Sequence, residues 1–290
     1  MSIAVTGATG QLGGLVVEDL LRRGVAPDHI IATGRDTDRL TDLAERGVQV
    51  RRADFADSGT LTEAFKGARK VLLVSTTDVG ERLGNHTRAI DAARDCGAEL
   101  IVYTSTLNAR TAGMLLADAH LKTEHHLRDS GVPFVVLRNG WYLENYTSQV
   151  PLFLQTGVVP GSAGAGRVSA ASRRDYAEAA AAVLTSEGHA GSVYELGGDD
   201  AFTLTELAAA LSRASGQKVV YTDLPAAEYR RALLDAGLPA ELAEVLADSD
   251  LGLKRGDLFT DSADLRRLTG RPTTSLTDAL TEALTGALAS

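Results

Sequence analysis

Cysteine is almost missing from this 290-residue chain. Cys96 stands alone, which excludes an intrachain disulfide and any cysteine-built metal cluster. A surplus of basic residues is missing too: 29 Lys and Arg face 38 Asp and Glu, for a formal charge of −9. Nucleic acid and anionic membrane both call for a basic surface, so neither is expected as the main partner. No apolar run approaches spanning length, and the most apolar window, around Ala177 to Leu184, reads as a short alanine-rich helix. Met1 leads straight into a strand-like stretch without a basic leader or a small-residue cleavage site, so no signal peptide is expected. Together these absences predict a soluble, cytoplasmic protein in a reducing compartment.

What is present is alternation. Short β-branched runs (Ile3–Thr6, Ile30–Thr33, Val48–Arg51, Val71–Ser75, Ile101–Ser105 and Phe134–Arg138) are separated by helical patterns, among them Leu12–Arg23, Glu81–Asp95 and Asp118–Asp129. Apolar runs that do not alternate in polarity fit strands buried on both faces. Strand and helix repeating at this spacing predict an α/β Rossmann fold with a doubly wound parallel sheet. After Asn139 the texture changes: aromatics gather at Trp141–Tyr146, and Gly157–Gly166 reads as a Gly-rich loop. Helices are expected at Asp175–Leu184, Leu204–Ser215, Ala226–Ala236, Ala240–Ala247 and Leu276–Leu288. The expected division is a Rossmann domain over residues 1–140, rejoined by 169–197, with most of 141–290 forming a smaller, interleaved substrate domain.

The first strand runs directly into Gly7, Gly10 and Gly13, and this G-x-x-G-x-x-G loop opens a helix. Glycine lets the backbone turn tightly and approach a pyrophosphate, whose charge then sits on the helix N-terminus. The second strand ends in Thr33, Gly34 and Arg35. An NAD site would place a carboxylate there for the ribose 2′-hydroxyl, whereas Arg35 suits a 2′-phosphate. NADPH is therefore the expected cofactor. Asp54, just past the third strand, is placed either to meet the adenine edge or to cap a helix.

VTGATGQLGG, LLVSTTDVG, LADAHLKTE, LRNGWYLENY, SAASRRDYAEAAA, VYELGGD, LADSDLG and GRPTTSL follow one another along the whole chain. In these segments the sequence resembles the NmrA-like atypical short-chain dehydrogenases, and among them the type 2 NADPH:quinone oxidoreductases. The resemblance implies NADPH-dependent reduction of a small-molecule quinone. It assigns Gly7, Ala8, Thr9, Gly10, Gln11 and Leu12 to the pyrophosphate and Arg35 to the 2′-phosphate. Ser75, Thr76 and Thr77 would lie along the cofactor, as would Arg138, Asn139 and Gly140. Trp141, Tyr142, Leu143, Glu144, Asn145 and Tyr146 would form one wall of the quinone pocket, joined by Ser169, Ala170, Arg173 and Arg174. The alternative for that wall is a packed domain junction.

Aligning an ordinary short-chain dehydrogenase Tyr-x-x-x-Lys on Lys122 puts Asp118 where the tyrosine belongs. An ionised carboxylate is a poor proton donor to a ketone. A quinone needs no such donor, because the anion formed on reduction is aromatic and water can protonate it. The expected mechanism is hydride transfer by alignment in a water-poor pocket, with Tyr142 or Lys122 at most orienting the substrate. Ser105 is a further candidate for orienting it. His120, Glu124 and His125 share a helix face, but a metal would want another well-placed ligand; His120 is expected to be structural and no metal is expected. His86 is expected at a surface or an interface. No G-x-S-x-G elbow supports a hydrolase. A reductase of another flat aromatic substrate and an NmrA-type redox sensor without turnover remain alternatives, and a homodimer is the expected assembly.

Overall fold

The computed structural model describes residues 2–78 and 80–288. Its first part runs β1 (Ile3–Val5), α1 (Gln11–Arg22), β2 (Ile30–Gly34), α2 (Thr41–Glu45), β3 (Gln49–Arg52) and α3 (Ser58–Phe65). There follow β4 (Lys70–Leu73), α4 (Arg82–Asp95), β5 (Leu100–Thr106), α5 (Leu115–Asp129) and β6 (Phe134–Asn139). The second part holds α6 (Glu144–Thr147), α7 (Val150–Thr156), β7 (Val158–Gly161), α8 (Arg173–Thr185), β8 (Val193–Leu196) and α9 (Leu204–Ser215). It closes with β9 (Val220–Asp223), α10 (Ala226–Asp235), α11 (Ala240–Arg255), α12 (Asp264–Thr269) and α13 (Leu276–Leu288).

Seven strands form one sheet in the order β3-β2-β1-β4-β5-β6-β8, and every neighbouring pair is parallel. Parallel strands need helices on both faces. On one face Val16, Val17 and Leu20 of α1 pack with Ala177, Ala180 and Leu184 of α8. On the other, Leu61 and Phe65 of α3 join Ala89 and Ile90 of α4 and Leu127 of α5. The doubly wound reading of the sequence is what the chain forms. Strand order reverses between β1 and β4, and the crevice at that switch point is where such sheets bind ligands.

A third apolar core lies beyond the sheet's carboxyl edge, built from Leu143, Tyr146, Phe153, Val168, Phe202, Leu207, Leu253 and Leu280 among others. The stretch expected to be a Gly-rich loop contains β7, which pairs in parallel with β9 as a second, two-stranded sheet. α11 also runs on to Arg255, two turns past the expected Ala247. The chain passes repeatedly between cores: Ala170 belongs to the third core and Ala171 to the first.

Candidate active site

The site begins where β1 turns into α1. Gly7 takes φ +62°, a left-handed conformation that disfavours any side chain. A Cβ on Gly13 would stand 2.3 Å from the Gly7 carbonyl oxygen, and one on Gly34 would stand 2.6 Å from the Thr9 methyl. The loop, the helix and the tip of β2 are thus in backbone-close contact, pinned by Ala8 N–H donating to Thr33 O at 2.8 Å and Gly10 N–H to Gly7 O at 2.9 Å. α8 and α9 start with capping boxes at Ser172–Asp175 and Thr203–Glu206, which satisfy first-turn N–H groups. α1 starts at Gly10 with no side-chain cap and no acidic residue in its first turn. Its open N–H groups and positive dipole end are left for an anion.

A cleft of ≈ 790 Å³ opens over this turn, within the range of small-molecule and cofactor sites. Gly7, Thr9, Gly10, Gln11 and Leu12 line it, with Arg35 at the tip of β2 and Ser75, Thr76 and Thr77 after β4. Four arginines face in (Arg35, Arg82, Arg88 and Arg173) against Asp54, Asp78 and Glu81. Arg35 is exposed. Arg88 Nε donates to Phe55 O at 2.7 Å, and Asp54 Oδ1 accepts from Ala56 N–H at 3.0 Å. Asp54 therefore shapes the cleft wall, while the cap of α3 is Asp57.

From beyond the sheet, Tyr142 and Arg173 reach the same cleft. An isolated bridge between Tyr142 and Ala171 holds the backbone, with Leu143 N–H donating to Ala171 O at 2.9 Å. The Arg173 guanidinium lies 4.5 Å over the Tyr142 ring, and Tyr176 meets that ring edge-on at 5.5 Å. Glu144 accepts the Arg173 backbone N–H at 2.9 Å and pairs with its Nη1 at 3.6 Å. Asn145 Oδ1 accepts from Arg173 Nη2 at 3.4 Å. Burial pushes the Tyr142 hydroxyl above its ordinary range, so it stays protonated at physiological pH.

Several residues expected at the site stand elsewhere. Leu143, Tyr146, Ser169 and Ala170 are buried in packing, and Trp141 packs against the third core; none of them lines the cleft. Arg174 is exposed beside Glu178. Lys122 pairs with Asp118 at 2.6 Å on the outer face of α5, 56% exposed, and does not line the cleft. Gly140 is walled in by Ser169 O, the Tyr176 hydroxyl and Leu196 O. Asn139 is buried, its Oδ1 without a partner.

Arg138 points away from the cleft into an ion-pair network. Its Nε and Nη2 donate to both oxygens of Glu124 at 2.9 and 2.7 Å, and Nη1 donates to Glu195 at 2.7 Å. Ser105 Oγ also donates to Glu124 at 2.7 Å, so this serine orients a carboxylate inside the fold. Burial works against both charges, yet the mutual hydrogen bonds prevail, holding Glu124 below the usual carboxylate range and Arg138 above its own.

His86 is fully buried, which corrects the expected surface position. Its Nδ1 lies 3.2 Å from Thr123 Oγ1, and the Tyr103 hydroxyl bridges it to His120 Nδ1 at 3.3 and 2.6 Å. His120 is a buried structural residue. Among the described residues no group of three or more His, Cys, Asp or Glu could hold a metal, and no helix is long and apolar enough to cross a membrane.

Known proteins resemble this chain over nearly its whole length. The chain is 48% identical over 277 residues to quinone oxidoreductase 2 of Escherichia coli (strain K12), covering 96% of each protein. The crystal structure of the Escherichia coli NADPH-dependent quinone oxidoreductase complexed with NADPH superposes with a TM-score of 0.95 at 47% identity, over 97% of this chain and 99% of that one. The Citrobacter sp. triphenylmethane reductase complexed with NADP(H) gives 0.92 at 37% identity, over 97% and 100% of the two chains. The model of the NmrA-like family matches residues 1–255. By this match and these relatives, the chain belongs to the NmrA-like family.

Proposed function

We propose that the protein is an NADPH-dependent oxidoreductase that passes a hydride to a quinone or a similarly flat, conjugated acceptor. The observation that carries this reading is one cleft that joins an uncapped helix N-terminus and Arg35 to an aromatic wall at Tyr142. The near full-length likeness to a quinone oxidoreductase supports it.

The residues present suit the cofactor. The first-turn N–H groups of Gln11 and Leu12 would hold the pyrophosphate, with Gly7, Ala8, Thr9 and Gly10 forming the turn beside it, packed onto the helix by the close approach of Gly13 to Gly7. Arg35 would take the 2′-phosphate, and no carboxylate lines the tip of β2 to repel it. Ser75, Thr76 and Thr77 would border the cofactor. Arg138, Asn139 and Gly140 act from behind, fixing the end of β6. NADPH supplies the hydride from its nicotinamide ring.

The chain's own part is alignment. Tyr142 borders the cleft and would meet a flat acceptor together with the Arg173 guanidinium that lies over its ring, the ring being set by its contact with Tyr176. Arg173 is braced by Glu144 and Asn145 and keeps a positive charge where the reduced acceptor becomes an anion. No general acid is required, because the aromatic anion takes its proton from water. Tyr142→Phe is accordingly expected to lower turnover less than about tenfold; a thousandfold loss with NADPH affinity intact would make the hydroxyl a proton donor.

The 37% identity to a triphenylmethane reductase favours a second reading within the same chemistry, a larger conjugated cation as acceptor. Loss of reduced-nicotinamide absorbance with parallel panels of quinones and triphenylmethane dyes tests both. Steady NADPH consumption above the uncatalysed rate is expected, and NADPH binding without consumption would instead make this a redox sensor. An acidic chain with one cysteine suits the cytoplasm, and sedimentation would test the homodimer.

A further inference from the structure

One residue of the cleft wall has both of its backbone polar groups held by a single helix. The N–H of Thr76 donates to His86 Nε2 at 3.0 Å, and the C=O of Thr76 accepts from Arg82 Nε at 3.1 Å. Arg82 and His86 stand one turn apart on α4, so their side chains rise from the same face. Both are buried, at 6% and 0% exposure; Arg82 Nε is spent on Thr76 while its Nη1 has no hydrogen-bond partner. The imidazole has one orientation available to it. Thr123 Oγ1 spends its proton on Ala119 O at 2.8 Å and so accepts from His86 Nδ1–H. This leaves the Nε2 lone pair for Thr76.

We propose that Arg82 and His86 are positioning residues for the cofactor: together they fix the two peptide groups on either side of Thr76 and thereby the strip Ser75–Thr77 against the dinucleotide. This rests on the NADPH reading above and adds to it a pair of residues that need not touch the reacting atoms. Thr76 is half-buried, and a donor stripped of its acceptor there gives up a hydrogen bond, so without His86 the strip would leave its place. Burial, reinforced by the Arg82 charge, holds His86 down at about 3. The neutral acceptor therefore persists across the physiological range.

The test compares three substitutions. Glutamine reproduces an acceptor at the Nε2 position, asparagine reaches only as far as Nδ1, and leucine keeps bulk alone. Amide hydrogen exchange at Thr76 in the ligand-free protein is expected to quicken at least about tenfold in His86→Leu and His86→Asn and to stay within about threefold in His86→Gln. The NADPH dissociation constant, by fluorescence titration, is expected to rise about tenfold in the same two variants and to hold in the third. Equal exchange in all four proteins would overturn the grip. Loss of Thr76 protection with unchanged NADPH affinity would overturn its role in binding, as would a glutamine variant binding as weakly as leucine. Should the unsubstituted protein bind no NADPH, the functional reading fails while the exchange comparison still decides the grip; should leucine fail to fold, glutamine against asparagine decides it.

Discussion

Replacing Gly13 by alanine adds one methyl group where there is no room for it. The new Cβ would lie 2.3 Å from Gly7 O, 2.7 Å from Gly7 C and 3.0 Å from Ala8 N, all backbone atoms. Relief needs α1 and the loop to separate by about 1 Å. The helix cannot retreat, because Val16, Val17 and Leu20 are fully buried in the first core against α8. The loop must give instead, along with the Gly10 N–H to Gly7 O hydrogen bond. Overpacking of this kind costs about 2–3 kcal/mol, which for a chain of this size lowers the melting temperature by roughly 3–5 °C. Moving the N–H donors off the pyrophosphate should raise the NADPH dissociation constant by about 100-fold. Gly10→Ala grades the effect, since its Cβ would sit 3.2 Å from Gly7 O, and a smaller melting shift is expected. Thermal unfolding and fluorescence titration measure both quantities. If Gly13→Ala melts with the parent protein and binds NADPH as well, the close approach is not what builds the site.

Arg35→Ala is expected to weaken NADPH by about 1–3 kcal/mol and leave NADH nearly unchanged; equal losses in titration would remove the 2′-phosphate assignment. Arg138→Met should cost about 3–5 kcal/mol, because it leaves Glu124 buried with its main counter-charge gone, and denaturant midpoints would reveal it. Asp250, half-buried with its carboxylate accepting from Ser162 N–H, has its carboxyl pushed up to about 6, chiefly by desolvation. A raised carboxyl favours the folded state when protonated, so this group's contribution declines as pH climbs from about 4 to 6. Asp250→Asn escapes that decline, and its melting temperature relative to the parent should be higher at pH 8 than at pH 5; a pH-independent difference would contradict the burial argument.

The first half of the fold was legible because its signals are local. Runs such as Ile30–Thr33 and Phe134–Arg138 are apolar without alternation, and glycines 7, 10 and 13 sit where strand becomes helix. β7 was hidden by its own residues, Val-Val-Pro-Gly, whose glycine and proline read as loop until β9, some sixty positions on, supplies a partner. His86 was misplaced for a related reason. α4 carries arginine, asparagine and histidine on the face it turns inward, and the partners of His86 there, Thr76, Tyr103 and Thr123, come from three other segments. Arg138, Ser105 and Glu124 likewise look like surface or site residues one at a time; their pairing is a property of three elements meeting. At the site itself, Tyr142 and Arg173 could be singled out, but not that their neighbours Leu143 and Tyr146 face away from the cleft.

The way the chain weaves between its cores bears on how new acceptors could be evolved or engineered. α8, β8 and α12 close the core of the large sheet, yet they come from the same stretch of sequence as the helices of the third core. A chimera exchanging everything after residue 140 would carry off part of the scaffold that holds the phosphate loop, since α1 rests on α8. Acceptor preference in this architecture is therefore not a cassette. The side chains to alter are single ones that border the cleft: Arg173, and Tyr142, which also packs against the first core.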